Sequence, residues 1–103
     1  MTKPDLSALN DLLSSKYRLA IMRLLSTGDE YEFTALKNEL QLTDGNLSSH
    51  MAKLEAGGLI SVHKRFTGKK PRTAYLITRS GLDAYRDYLS FLSYILKDGT
   101  LHE

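Results

Sequence analysis

A chain of 103 residues, 42% of them hydrophobic and carrying a net charge of +2, is expected to form one domain over residues 1–103 with a core that needs no covalent staple. It has no cysteine, which excludes disulfide frameworks, thiolate zinc sites and cysteine nucleophiles and makes a reducing cytoplasm the expected location. Residues 1–13 lack the apolar run of a signal peptide, and the most apolar stretch, 88–96, is far too short to cross a bilayer, so no membrane partner is expected.

The small net charge hides an uneven distribution. Residues 1–42 hold five Lys or Arg against six Asp or Glu, residues 43–78 six against two, and residues 79–103 three against four, so the positive charge belongs to the middle third.

In chain order, Leu6, Leu9, Leu12 and Leu13 recur at helical spacing behind Asp5 and predict a first helix over 5–14. Ser14 and Ser15 can cap a second, with Tyr17, Ala20, Ile21, Leu24 and Leu25 buried and Lys16, Arg18 and Arg23 facing water; Thr27-Gly28-Asp29 ends it. Tyr31, Glu32 and Phe33 make a brief extended segment, useful as an edge strand if a sheet follows. A third helix of barely two turns follows, started by Thr34, with Ala35, Leu36 and Leu40 on one face.

Gln41, Leu42 and Thr43 join it to a fourth helix expected over 44–57. Thr43 is a good N-cap, Asp44 complements the dipole in the first turn, and Gly57 and Gly58 stop the helix. Leu47, Met51 and Leu54 form a narrow apolar stripe, while Gly45, Asn46, Ser49, Ala52 and Lys53 project from the other side. A helix needing only solubility would fill that side with Glu, Lys, Arg and Gln, which favour helix more than Gly, Asn and Ser do. The loss of propensity has a use in a DNA major groove, where small residues permit close approach and Asn, Ser, His and Lys can bond base edges and phosphates. The bland alternative is an ordinary surface helix. Against it stands the short turn between two short helices, a helix-turn-helix arrangement with Leu42 plugging the corner.

After Gly58 the period changes to alternation. Residues 59–65 and 73–78 are rich in β-branched residues and predict a hairpin about Gly68 and Lys69, with Val62 near Tyr75, Ile60 near Ile77 and Leu76 pointing away from the core. Lys64, Arg65, Lys69, Lys70 and Arg72 place five cations within nine residues with no carboxylate among them. Such a run is often only a solvated face; at a hairpin tip beside a base-reading helix it is positioned to bind phosphates, which gives affinity without sequence information.

The final helix is expected over 79–97. Leu82, Tyr85, Leu89, Leu92 and Leu96 form its stripe, and Tyr88, Phe91 and Ile95 widen the apolar arc beyond one contact surface. A second copy of the chain would cover the excess, so a homodimer interface of Leu82, Tyr85, Tyr88, Leu89, Leu92, Ile95 and Leu96 is expected, with 98–103 a frayed tail. The same arc would line a cavity for a small-molecule effector, although dimer packing accounts for it.

The fold class is therefore mostly α with a small antiparallel β wing, in the order helix, helix, short strand, helix, helix, strand, strand, helix. The segments 18–25, 33–36, 42–50, 54–60, 68–75 and 76–81 together make the chain resemble the small MarR/ArsR-like winged helix-turn-helix transcriptional regulators, over residues 6–96. The resemblance implies a homodimer on a pseudo-palindromic operator in double-stranded DNA, with half-sites about 34 Å apart. Carried onto this chain, it implies base reading by Asn46, Ser49, His50 and Lys53, close approach at Gly45, and phosphate or minor-groove contacts from Thr43, Ser48, Lys64, Arg65, Lys69, Lys70 and Arg72. No nucleophile elbow, phosphate-cradling loop or paired carboxylates mark an enzyme, no cofactor is expected, and three scattered histidines without cysteine make no metal site. The rival reading is a winged helix used for protein or RNA contact, since fold alone does not decide function.

Overall fold

The computed structural model describes residues 5–100. The expected first helix is instead two 3-10 turns, Leu6–Ala8 and Asp11–Ser14, interrupted at Leu9 and Asn10. Local side-chain caps favour the break: Asp5 Oδ1 accepts from the Ser7 N–H at 3.0 Å, and Asn10 Oδ1 from the Leu12 N–H at 3.0 Å, competing with continuous helix. Only the second turn is anchored, by fully buried Leu13, while Leu6 stays 61% exposed.

Helix α1, Lys16–Leu25, is capped by Ser15, whose hydroxyl accepts from the Arg18 N–H at 3.3 Å. It buries Ile21, Met22 and Leu25 completely and touches α2 (Phe33–Leu40), α3 (Asp44–Ala56) and α4 (Arg79–Thr100), so it is the hub of the helical layer. Met22 takes the place expected of Tyr17, which is exposed, and Arg18 is half-buried rather than facing water.

The sheet has three antiparallel strands in the order β1-β3-β2: β1 is Tyr31–Glu32, β2 Ile60–Thr67 and β3 Lys70–Ile77. The edge strand is present, pairing Tyr31 with Tyr75, but Phe33 opens α2 instead of ending β1. Thr34 and Ala35 are exposed inside α2, whose N-cap, Glu32, makes no side-chain bond; Leu36 alone is fully buried there. The hairpin register is as expected, Ile60 opposite Ile77 and Val62 opposite Tyr75, closed by a two-residue turn in which Gly68 takes φ 66°. Leu76, opposite Ser61, is half-buried.

The core joins Leu13, Ile21, Met22, Leu25, Leu36 and Leu42 to the α3 stripe of Leu47, Met51 and Leu54, and to Leu59, Ile60, Tyr75 and Tyr85. The turn before α3 has Gln41 in the left-handed region, with buried Leu42 closing the corner. At the other end of α3, Gly58 takes φ 76°, and its carbonyl accepts from the Thr78 hydroxyl at 2.6 Å. The same hydroxyl oxygen accepts from the Gly81 N–H at 2.9 Å, so one side chain ties the end of α3 to the start of α4.

Helix α4 continues through Thr100, past the expected end, while residues 101–103 of the expected tail lie outside the described residues. Up to Tyr88 it packs on the core through Ala84, Tyr85 and Tyr88, and beyond that it leaves Leu89 41%, Ile95 46% and Leu96 64% exposed. The described protein is accordingly long, 57 × 25 × 21 Å.

Candidate nucleic-acid interface

The α3 cap is formed as the sequence requires: Thr43 Oγ1 accepts from the Asn46 N–H at 3.2 Å. Asp44 is held by Lys37 Nζ at 2.8 Å, which partly neutralises the only acid of the first turn. Gly45, Asn46, Ser48, Ser49 and Lys53 are all exposed. A Cβ built on Gly45 meets no atom within 4 Å, and its φ is ordinary. The fold itself therefore gives no reason to accept the lower helix propensity of glycine there.

His50 is placed differently from its neighbours. Its ring is half-buried against α1, with its centroid 5.6 Å from that of Tyr17, and its Nδ1 lies 3.1 Å from Arg18 Nη1. Burial, with the charges of Arg18 and Lys53 behind it, holds the imidazole below its ordinary value of 6.5, so it is neutral at pH 7. Arg18 Nε also donates to the Leu12 carbonyl at 2.7 Å. Tyr17 and Arg18 escape sequence reasoning because 32 residues separate Arg18 from His50 and helical period cannot report such a pair.

The wing cations divide into two groups. Arg65 and Arg72 stand directly opposite each other across the hairpin, a like-charge pairing that would be unfavourable alone. Glu30 answers Arg65 Nη2 at 2.6 Å and Glu32 answers Arg72 Nη1 at 3.2 Å. The cationic run thus has carboxylate partners after all, delivered by the edge strand from more than thirty residues away. The signal was present in Glu30-Tyr31-Glu32, once that segment is paired with 74–75. Lys64, Lys69 and Lys70 are exposed and have no ion pair among the described residues.

Helix and wing face a shared concavity. An open hollow of about 390 Å³ is lined by Glu32, Thr34, Ser48, Arg72 and Tyr75, and another of about 280 Å³, sharing Ser48 and Tyr75 with it, by Ala52, Glu55 and Lys64. Ser48 on α3 and Lys64 on β2 therefore look into the same space, with Tyr75 at its floor.

Of the residues expected at a dimer interface, Tyr85 is 5% exposed and belongs to the chain's own core, and Tyr88 and Leu82 are half-buried. Beyond them Leu89, Ile95 and Leu96 are exposed and Leu92 is half-buried. Among the described residues no group of His, Asp and Glu could hold a metal ion, and no helix is long and apolar enough to cross a membrane.

A family model described as winged helix DNA-binding domain matches residues 17–96. The chain is 36% identical over 78 residues to an uncharacterized protein of Methanocaldococcus jannaschii, covering 76% of this chain and 85% of that one. Among solved structures, the transcriptional regulator homologue protein from Pyrococcus horikoshii OT3 superposes with TM-score 0.80 at 32% identity, over 86% of this chain and 88% of that one. The MepR–DNA complex of S. aureus shares the fold with TM-score 0.72 at 16% identity, over 88% and 77% of the two chains. Other structural neighbours are regulators of the MarR and PadR families.

Proposed function

We propose, from the premise that this chain belongs to the winged helix DNA-binding domain family, that it is a transcriptional regulator binding double-stranded DNA sequence-specifically as a homodimer. In this reading α3 lies in the major groove, with Gly45 admitting the backbone and Asn46, Ser49, His50 and Lys53 reaching base edges. Thr43 and Ser48 take phosphates, and Lys64, Lys69 and Lys70 grip the backbone beside the groove. Arg65 and Arg72 stiffen the wing through Glu30 and Glu32 and add less charge to the phosphates than their number suggests. The distal half of α4, with Leu89, Leu92, Ile95 and Leu96, joins the two copies and sets their helices about 34 Å apart on a pseudo-palindromic site.

The observation that carries this reading is the capped α3, whose Gly45, Asn46, Ser49 and Lys53 stand open to solvent while its Ser48 and Ala52 line one hollow together with Lys64 of the wing. Counterion release supplies the test. If the wing lysines of two copies neutralise about six phosphates, the logarithm of affinity for duplex DNA falls with the logarithm of salt at a slope of about −5. Asn46→Ala or Ser49→Ala should leave that slope in place and flatten preference among sequences. Absent binding, or binding indifferent to salt, would overturn the reading.

A further inference from the structure

The Arg18–His50 pair joins the base-reading helix to the hub of the fold, and its chemistry is one-sided. A guanidinium has donors only, so the 3.1 Å approach of Arg18 Nη1 to His50 Nδ1 requires an unprotonated, accepting Nδ1. The neutral ring then carries its proton on Nε2. That atom has no hydrogen-bond partner among the described residues and is not among the buried unpaired atoms, so water or a ligand can reach it. The guanidinium is itself fixed by its second bond, from Nε to the Leu12 carbonyl at 2.7 Å. Tyr17 lies against the ring from α1, with Lys16 Nζ 5.2 Å from the Tyr17 centroid. Lys53 faces the ring from α3 itself, and among the described residues no carboxylate bonds the imidazole. The two charges that act on it, Arg18 and Lys53, are both positive, and a second proton on the ring would set two cations within hydrogen-bonding distance of each other.

We propose that Arg18 is a positioning residue for DNA recognition: it fixes His50 as an acceptor at Nδ1 and a donor at Nε2, so that α3 presents one neutral, directed N–H to an acceptor on the DNA. This rests on the reading of α3 as the DNA-contacting helix. It sets His50 apart from Lys53, whose flexible ammonium can donate in any direction, whereas a single oriented N–H distinguishes an acceptor on a base edge from a donor at the same place. Arg18 never needs to touch DNA to do this.

Nitrogen-15 NMR of the imidazoles in the whole 103-residue chain without DNA, with His50 assigned by its loss in His50→Gln, tests the first half. The expected result is a non-protonated Nδ1 and a protonated Nε2 in the native protein. In Arg18→Met, the same ring should become a tautomer mixture and take up its second proton at higher pH. A native ring with the proton on Nδ1, or a tautomer and titration unmoved in Arg18→Met, would overturn the proposal.

The second half uses duplexes that the purified protein selects from random-sequence DNA. His50→Asn keeps an acceptor in the place of Nδ1 but loses the outward donor, and Arg18→Met keeps the histidine but frees it. Both should lose about fivefold in preference for selected over scrambled duplex, the factor one net hydrogen bond carries, with little change on scrambled DNA. If Arg18→Met unfolds, His50→Asn, which leaves the Arg18 partner in place, decides alone. Unchanged preference in the folded variants, with native binding intact, overturns this proposal only. A native protein that binds no duplex removes the functional reading and this proposal with it.

Discussion

Gly45 and Gly81 both lie in the first turn of a helix, yet alanine should act in opposite directions at the two. At Gly45 there is open space and an ordinary φ, so Gly45→Ala should stabilise the fold by about 0.5–1 kcal/mol through helix propensity. At Gly81 an added Cβ would run into the Leu59 carbonyl oxygen, backbone that cannot swing aside, so overpacking of about 1–3 kcal/mol outweighs the same propensity gain. Chemical denaturation should show the opposite signs. Binding should reverse the Gly45 result, since the stabilised variant would bind DNA more weakly if the missing Cβ admits a groove wall. His50 supplies a pH dependence of definite sign. Its folded-state pKa lies below the ordinary 6.5, so the folded protein resists the proton that the unfolded chain accepts. The stability it contributes is complete above pH 6.5 and is lost as pH falls toward the folded value. Melting temperature should therefore decline between pH 7 and about 5, before most carboxylates titrate, and decline less in His50→Gln.

Among the elements, the wing and its edge strand work as one electrostatic unit. Glu30→Gln with Glu32→Gln would free Arg65 and Arg72 from their carboxylates at a stability cost of less than about 1 kcal/mol, as exposed pairs contribute little. The freed guanidiniums should tighten binding to random duplex and steepen its salt dependence by about one for each cation recruited; unchanged affinity would mean the arginines were already on phosphate or never reach it. What the sequence made readable follows the same division between local and distant. Helix α3, its Thr43 cap, the Leu42 plug and the hairpin register could be read because their causes lie within a turn or an alternation. The amino-terminal turns were misread as one helix because leucine spacing spoke for continuity while Asp5 and Asn10 were already capping separate pieces. The pairing of Arg65 with Glu30, of Arg72 with Glu32 and of Arg18 with His50 was out of reach, since only the folded chain brings partners 32 to 40 residues apart together.

At the scale of the whole molecule, the proposed reading helix and the proposed joining helix are linked by a short path. Thr78 joins the carbonyl that ends α3 to the N–H that begins α4, and Gly81 packs on the strand entrance beside it, so the orientation of α3 is set relative to the long helix. The distal part of that helix is apolar on a face the chain's own core does not cover at Leu89 and Ile95. Leu89→Lys with Ile95→Lys should leave the fold intact, because neither side chain is in the core, yet shift the native mass toward the monomer in analytical ultracentrifugation. A monomer before substitution, or a dimer after it, would remove α4 as the joining element. The same substitutions should weaken DNA binding much more than they weaken folding, since each half-site would then be held by one copy alone.

Selection of bound fragments from a random pool of duplex DNA by the purified native protein tests whether two copies of α3 read one symmetric site. The expected outcome is enrichment of a two-fold-symmetric motif whose half-sites repeat at one turn of the double helix, about 34 Å apart. A pool that emerges as random as it entered, despite folded protein, would contradict it.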